Sequence, residues 1–317
     1  MIEQNRDVAK YLATRPVDNG FIHELLFPVA RINSSTYVWR ATSDTPTIPT
    51  EASIKYVPGQ VMTPTIRGLE TPIAGEVETY GKSSLIPRGQ VKEEDMRGEL
   101  SPRLASEADA IRMEISRFFE YDAKTKVAAS TNYTTTTAKW TVATGSTAVI
   151  PDLITSFKEF RAAAGVFPNL MFGNNDVVMV LQASLGLLDD PALFGKIFGD
   201  TSLEQEYYQL IRGVKLITCT AQYKTSETAT TYTDIWSDKR LYLAYVAENV
   251  GDKTFKKAYG VSPVYPDKSG DDWTVTQNET KMKEWETIIT IDKAQVELDK
   301  TCVRIVRGPS GGSYDLV

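Results

Sequence analysis

SPRLASEADAIRMEISRFFEYDAKTKVA, residues 101–128, is the one stretch whose helical periodicity runs unbroken for about seven turns. Leu104, Ala108, Ile111, Ile115 and Phe118/Phe119 recur at the three- and four-residue spacing that aligns one narrow apolar stripe. Charged residues fill the rest of the circumference. Ser101 supplies an N-cap, and Pro102 stands at N1, where no amide hydrogen is needed. Glu120 with Lys124 and Asp122 with Lys126 are acid-before-base pairs four residues apart, which predicts an exposed flank on that side. A helix this wet takes its meaning from its neighbours.

Upstream, the texture is extended. Residues 1–30 hold a weak amphipathic segment (Val8, Tyr11, Leu12) broken at Pro16 and Gly20, an arm that docks elsewhere rather than a core of its own. From Arg31 to Val91 the pattern has period 2, with Ser35, Tyr37 and Trp39 on one parity. Prolines at 46, 49, 58, 64, 72 and 87 and glycines at 59, 68, 75, 81 and 89 punctuate it. Proline cannot donate to a sheet ladder, so this stretch predicts edge strands or a projecting ribbon. With little apolar mass of its own, such a ribbon is held only where another element or another subunit covers it. KEEDMRGEL, 92–100, is a charged connector into the helix.

Downstream, a Thr-rich stretch anchored by Trp140 leads through Pro151 into a mixed α/β body. A helix over 152–164 stops at Gly165; NLMF is a short strand; Asn174 or Asn175 caps a helix through Val177, Val178, Leu181 and Leu185. Another helix is expected at about 202–211, then strands at VKLITCTAQY and RLYLAYVAE. The tail returns to β, alternating through Trp285, Thr287, Ile289 and Ile291, turning near Asp292–Gln295 and running on through Val303 and Ile305.

Chemistry is sparse. The 317 residues are 42% hydrophobic, ample for a buried core, and carry a formal charge of −6, the opposite of a nucleic-acid footprint. Two cysteines, Cys219 and Cys302, lie far apart in apolar runs and are expected as buried free thiols. No apolar run reaches the roughly 18 residues of a membrane span, and the charged N-terminus is unlike a signal peptide, so assembly in a reducing cytoplasm is expected. GEVETYGKS, 75–83, approaches the phosphate-cradling GxxxxGK[ST] pattern, but the glycine spacing is one too long and Glu76 stands where the loop needs glycine. His23 is the only histidine, which leaves multi-histidine zinc sites and a supported Ser-His-Asp arrangement out of reach. The chain shows no catalytic constellation, no cofactor motif and no metal-ligand spacing.

In the order of these parts, the chain resembles the major capsid proteins of tailed bacteriophages, the HK97-type family. AIRMEISRFFEYDAKTKVAAS is similar to that family's spine helix, which leads into a Trp-bearing strand, here at Trp140. IPDLITSFKEFRAAAGVFPNLMFGNNDVVMVLQASLGLLDDP is similar to the entry into its axial domain. The family often has an Arg-Glu pair midway along the spine helix; here Arg117 is followed by Phe118 and Phe119, with Glu120 displaced.

The resemblance implies an α+β, HK97-like capsid fold: an N-terminal arm (1–30), an extended β loop (31–91), a spine helix with a peripheral domain (92–150), a mainly axial α/β domain (151–283) and a return to the peripheral domain (284–317). It implies a structural, non-enzymatic subunit that assembles with itself into hexamers and pentamers of an icosahedral head. The shell encloses double-stranded DNA without sequence-specific binding and without a membrane. Portal, scaffold and decoration proteins are implied partners, and the virion is the implied location, after assembly in the host cytoplasm. Arg67, Lys82 and Arg88 on the ribbon are expected to meet Glu93, Glu94 and Asp95 of the next subunit, and Leu104, Ile111, Ile115 and Phe118 to pack the spine helix on its sheet. An encapsulin-type compartment shell shares the fold and stands as an alternative. A cytosolic α/β enzyme with a long β insertion would need a convergent polar pocket; a tail or receptor-binding protein would show repeats, and none is visible.

Overall fold

The computed structural model describes residues 3–4, 21–39, 72–87, 102–141, 149–184, 214–226, 228–247, 257–267, 270–279, 284–309 and 315–317. In chain order the described elements begin with β1 (Glu3–Gln4), α1 (His23–Leu26), β2 (Val29–Arg31), β3 (Thr36–Trp39), β4 (Ile73–Glu76) and β5 (Glu78–Pro87). The long helix α2 (Pro102–Ala128) is followed by β6 (Tyr133–Thr135), α3 (Ile150–Ala164), β7 (Leu170–Asn174) and α4 (Asn175–Ser184). Then come β8 (Lys215–Cys219), β9 (Gln222–Tyr223), β10 (Thr233–Asp234), β11 (Leu241–Ala244), β12 (Gly260–Val264) and β13 (Thr274–Glu279). The remaining strands are β14 (Glu284–Lys293), β15 (Val296–Glu297) and β16 (Val303–Arg307).

Two sheets carry the molecule. In the five-stranded one the order is β6-β16-β11-β7-β8, with β11 antiparallel to both neighbours and parallel pairs at each side. Its inner strands β7 and β11 are buried along their whole length, which is why LMF and LYLA are continuous apolar runs rather than alternating ones. α3 covers one side of this sheet and ends where expected: Gly165 takes φ 70°, a left-handed conformation that costs a residue with a Cβ, and its N–H donates to the Arg161 carbonyl at 2.8 Å. The indole of Trp140, fully buried, donates to Asp152 Oδ2 at 3.1 Å, tying the segment after α2 to the first turn of α3. Of the two candidate caps for α4, Asn174 acts: its Oδ1 accepts from the Val177 N–H at 3.1 Å. The helix expected near 202–211 lies outside the described residues.

The second sheet runs β1-β13-β14-β12-β15, with β2 parallel on β12 and β5 antiparallel on β14. β5 and β14 form its long ribbon, ten residues in unbroken register from Glu78↔Lys293 to Pro87↔Glu284. The near-miss phosphate motif at 75–83 therefore runs from the end of β4 into β5 as extended chain. The tail does not return as one piece: β14 lies in this sheet, whereas β16 crosses to the middle of the five-stranded one.

α2 joins the two. Its first half buries Ala108, Ile111, Ile115 and Phe119 with Val264, Val275, Ile289 and Ile291 of the seven-stranded sheet. Its last turns bury Ala123 and Val127 in the main core, with Trp140, Phe172, Trp236 and Tyr242. At about 100° per residue, the buried line moves roughly 100° around the helix between these halves. One expectation is corrected: Phe118 is expected to pack the helix on its sheet, but the structure buries Phe119 there and leaves Phe118 51% exposed.

Candidate assembly surface

β5 lies along α2 with its even-numbered side chains toward the helix. Tyr80 packs edge-on to Phe119, with ring centroids 5.0 Å apart, and against Phe118 at 5.2 Å. Ser84 donates to Glu107 Oε2 at 2.9 Å, and Lys82 forms an ion pair with Glu114. The Tyr80 hydroxyl donates to Glu78 at 2.8 Å, and burial, followed by that carboxylate, pushes its pKa up to about 12. The odd-numbered residues Thr79, Gly81, Ser83 and Leu85 are exposed on the far face. Gly81 is required by the ribbon itself, since a Cβ there would stand 2.5 Å from Thr290 Cγ2 and 3.0 Å from the Ile289 carbonyl oxygen. Only one edge of β5 is laddered among the described residues; along the other, its alternate N–H and C=O groups have no strand partner among those residues.

The outward side of α2 adds apolar surface. Phe118, against Tyr80, and Tyr121, one turn on, are 51% and 56% exposed. Of the residues expected at contacts between subunits, Lys82 is engaged within its own chain by Glu114. Arg67, Arg88, Glu93, Glu94 and Asp95 lie outside the described residues. Of the packing set, Ile111 and Ile115 are buried on the seven-stranded sheet, and Leu104 lies on α2 with its side chain outside the described residues.

The structure also shows a junction that periodicity did not reveal. Glu120, expected on an exposed flank with Lys124, is fully buried. Its Oε2 accepts from the Ile22 N–H at 2.9 Å and the His23 N–H at 2.8 Å, and lies 2.9 Å from His23 Nδ1. With the carboxylate as acceptor, the ring donates from Nδ1. Oε1 accepts from the Trp236 indole at 2.5 Å. Lys124 turns instead to Asp238 at 3.2 Å, while the second expected pair, Lys126 with Asp122, forms at 2.5 Å. One carboxylate thus satisfies backbone donors at the start of α1, where no N-cap side chain serves them, and ties three distant segments together. No local pattern announces it, because His23 and Ile22 lie 97 and 98 residues from Glu120 in the chain.

Burial raises both thiols, Cys302 to about 12 and Cys219 well above its ordinary range, so neither is a thiolate nucleophile at neutral pH. Among the described residues, no group of three or more His, Cys, Asp or Glu is placed to hold a metal, and no helix is long and apolar enough to cross a membrane.

No protein-family model and no curated protein matches the chain. Solved structures do. A phage-related protein from Bordetella bronchiseptica RB50 overlaps with a TM-score of 0.66 at 13% identity, covering 96% of this chain and 97% of that one. The capsid of the cyanophage P-SCSP1u overlaps at 0.52 with 12% identity, over 94% and 90%. The capsid of a native GTA particle overlaps at 0.51 with 9% identity, over 93% of each chain. At such identities the likeness shows the fold, and the fold is the α+β, HK97-like one of phage capsid proteins.

Proposed function

We propose that this chain is a structural capsid subunit of a tailed phage, assembling with itself into hexamers and pentamers of an icosahedral head around double-stranded DNA. The observation that carries the reading is end-to-end likeness in fold to a phage-related protein, 96% of one chain against 97% of the other. The β5 edge, unladdered among the described residues, and the Phe118/Tyr121 face support it, because a shell repeats such surfaces until each is covered by a neighbour. The net charge of −6 suits a wall that surrounds DNA without gripping it.

In this reading residues 1–30 are the arm, 31–91 the extended loop, 92–150 the spine with its peripheral domain, 151–283 mainly the axial domain and 284–317 the return, with β16 contributed to the axial side. Arg67 and Arg88 remain candidates for meeting Glu93, Glu94 and Asp95 of an adjacent subunit. Portal, scaffold and decoration proteins would be its partners, the host cytoplasm its place of assembly and the virion its destination. The role is structural rather than enzymatic. An encapsulin-type shell is not favoured, the three overlapping structures above being a phage-related protein, a cyanophage capsid and a GTA capsid. Negative-stain microscopy of the purified protein tests the proposal: closed or tubular particles are expected, and a persistent monomer that turns over a metabolite would end it.

A further inference from the structure

α2 changes cores between Phe119 and Ala123. Phe119 belongs to the cluster on the seven-stranded sheet, and Ala123 and Val127 to the main core. Glu120 sits at that changeover. Two of its hydrogen-bonding partners, Ile22 and His23, begin the α1 segment, which continues within a few residues into β2 and so into the seven-stranded sheet. The third, Trp236, is fully buried in the main core against Phe172 and Tyr242, with centroids 5.2 Å away in each case. The α1 segment itself packs in the main core through Ile22, Leu26 and Phe27, so a single carboxylate on α2, the helix whose earlier turns lie on the seven-stranded sheet, is held to the main core through both its oxygens. Around it, apolar packing is non-directional, whereas these four bonds fix distance and direction.

We propose that Glu120 is a pin setting the angle between the two sheets of the subunit, and through that angle the curvature of the shell it builds. The inference rests on the shell reading. A closed particle needs one wedge angle repeated in every copy; a subunit with intact cores and a loose pin would still associate, but over a range of curvatures.

Trp236→Phe removes only the bond to Oε1 and keeps the ring; Glu120→Gln keeps the shape and loses the charge. For unassembled subunits, amide exchange is expected to rise roughly tenfold or more at Ile22 and His23 in Glu120→Gln, the loss of charge-assisted bonds. Protection in β11 and β14 should stay unchanged. For assembled material, both variants should give a broadened or shifted distribution of particle diameters by microscopy. Variant particles with the wild-type diameter distribution would overturn the pin, as would exchange that rises equally through β11 and β14. If wild type forms no particles, the shell reading fails on its own. Small-angle scattering of wild-type and Trp236→Phe subunits then decides the pin, identical profiles refuting it. Should Glu120→Gln fail to fold, Trp236→Phe carries both measurements.

Discussion

Lys293 is the least comfortable residue in the molecule. It closes β14 with its side chain buried, and its ammonium lies over the Phe119 ring at 4.7 Å. Burial lowers its pKa, more than the carboxylates of Glu24 and Asp272 restore it. A lysine depressed in the folded state binds fewer protons there than in the unfolded chain. Its penalty is therefore full below the folded pKa and is relieved as pH rises from that value toward the unfolded value near 10.4. Lys293→Met should raise the melting temperature at neutral pH and flatten the alkaline rise in stability, as thermal melts at stepped pH would record. A variant less stable than wild type would show that the cation–ring contact outweighs burial. Neither Lys293 nor Glu120 was legible from the sequence, because a helix or strand pattern locates a residue on a face but not how deep that face lies. Glu120 was expected on an exposed flank with Lys124, and residue 293 fell within the turn expected near Asp292–Gln295, whereas β14 runs through it.

At the scale of elements, the long helix was legible almost to the residue, from Pro102 at its first turn to the end of the charged pairs. The stop at Gly165 was legible for the same reason, being local chemistry, and so was an asparagine cap at 174 or 175, of which the structure uses Asn174. The choice between Phe118 and Phe119 was not, since it depends on the helix passing from one core to another. The distinction has a measurable consequence. Phe119→Ala should cost about 3–5 kcal/mol of subunit stability, whereas Phe118→Ala should stay within about 0.5 kcal/mol and lower particle yield instead. Denaturant titration and microscopy on the same preparations separate the two effects. The β5–β14 ribbon offers a second test. Gly81→Ala drives a methyl against Thr290 and should destabilise by about 1–3 kcal/mol. Adding Thr290→Ala should recover part of that loss, a coupling that a double-mutant cycle reads directly. Additive losses would mean that the Ile289 carbonyl alone sets the limit.

For the whole molecule, the order of parts carried more than any motif did. A broken arm, a proline-punctuated ribbon, one long helix and an α/β body point to a shell subunit because the first two are poorly held in isolation. The route of the tail between sheets was not legible, since β14 and β16 share the same alternating pattern and differ only in partner. In an assembled particle, reversing charge at Arg67 and Arg88 together should lower yield and sharpen the loss at low salt, where exposed charges are least screened. Unchanged yield across ionic strength would remove those two residues from the interface.

β16 has one more implication, concerning time rather than space. It follows every other described strand, yet it occupies an interior place between β6 and β11, with Val303, Ile305 and Val306 buried. Until residues 303–307 have emerged from the ribosome, β6 has no strand to lie on and β11 lacks one of its two ladders. The five-stranded sheet is therefore the later of the two to be completed, because every described strand of the seven-stranded sheet precedes residue 303. A chain stopped before residue 303 would therefore carry all the described strands of the seven-stranded sheet but lack an interior strand of the other.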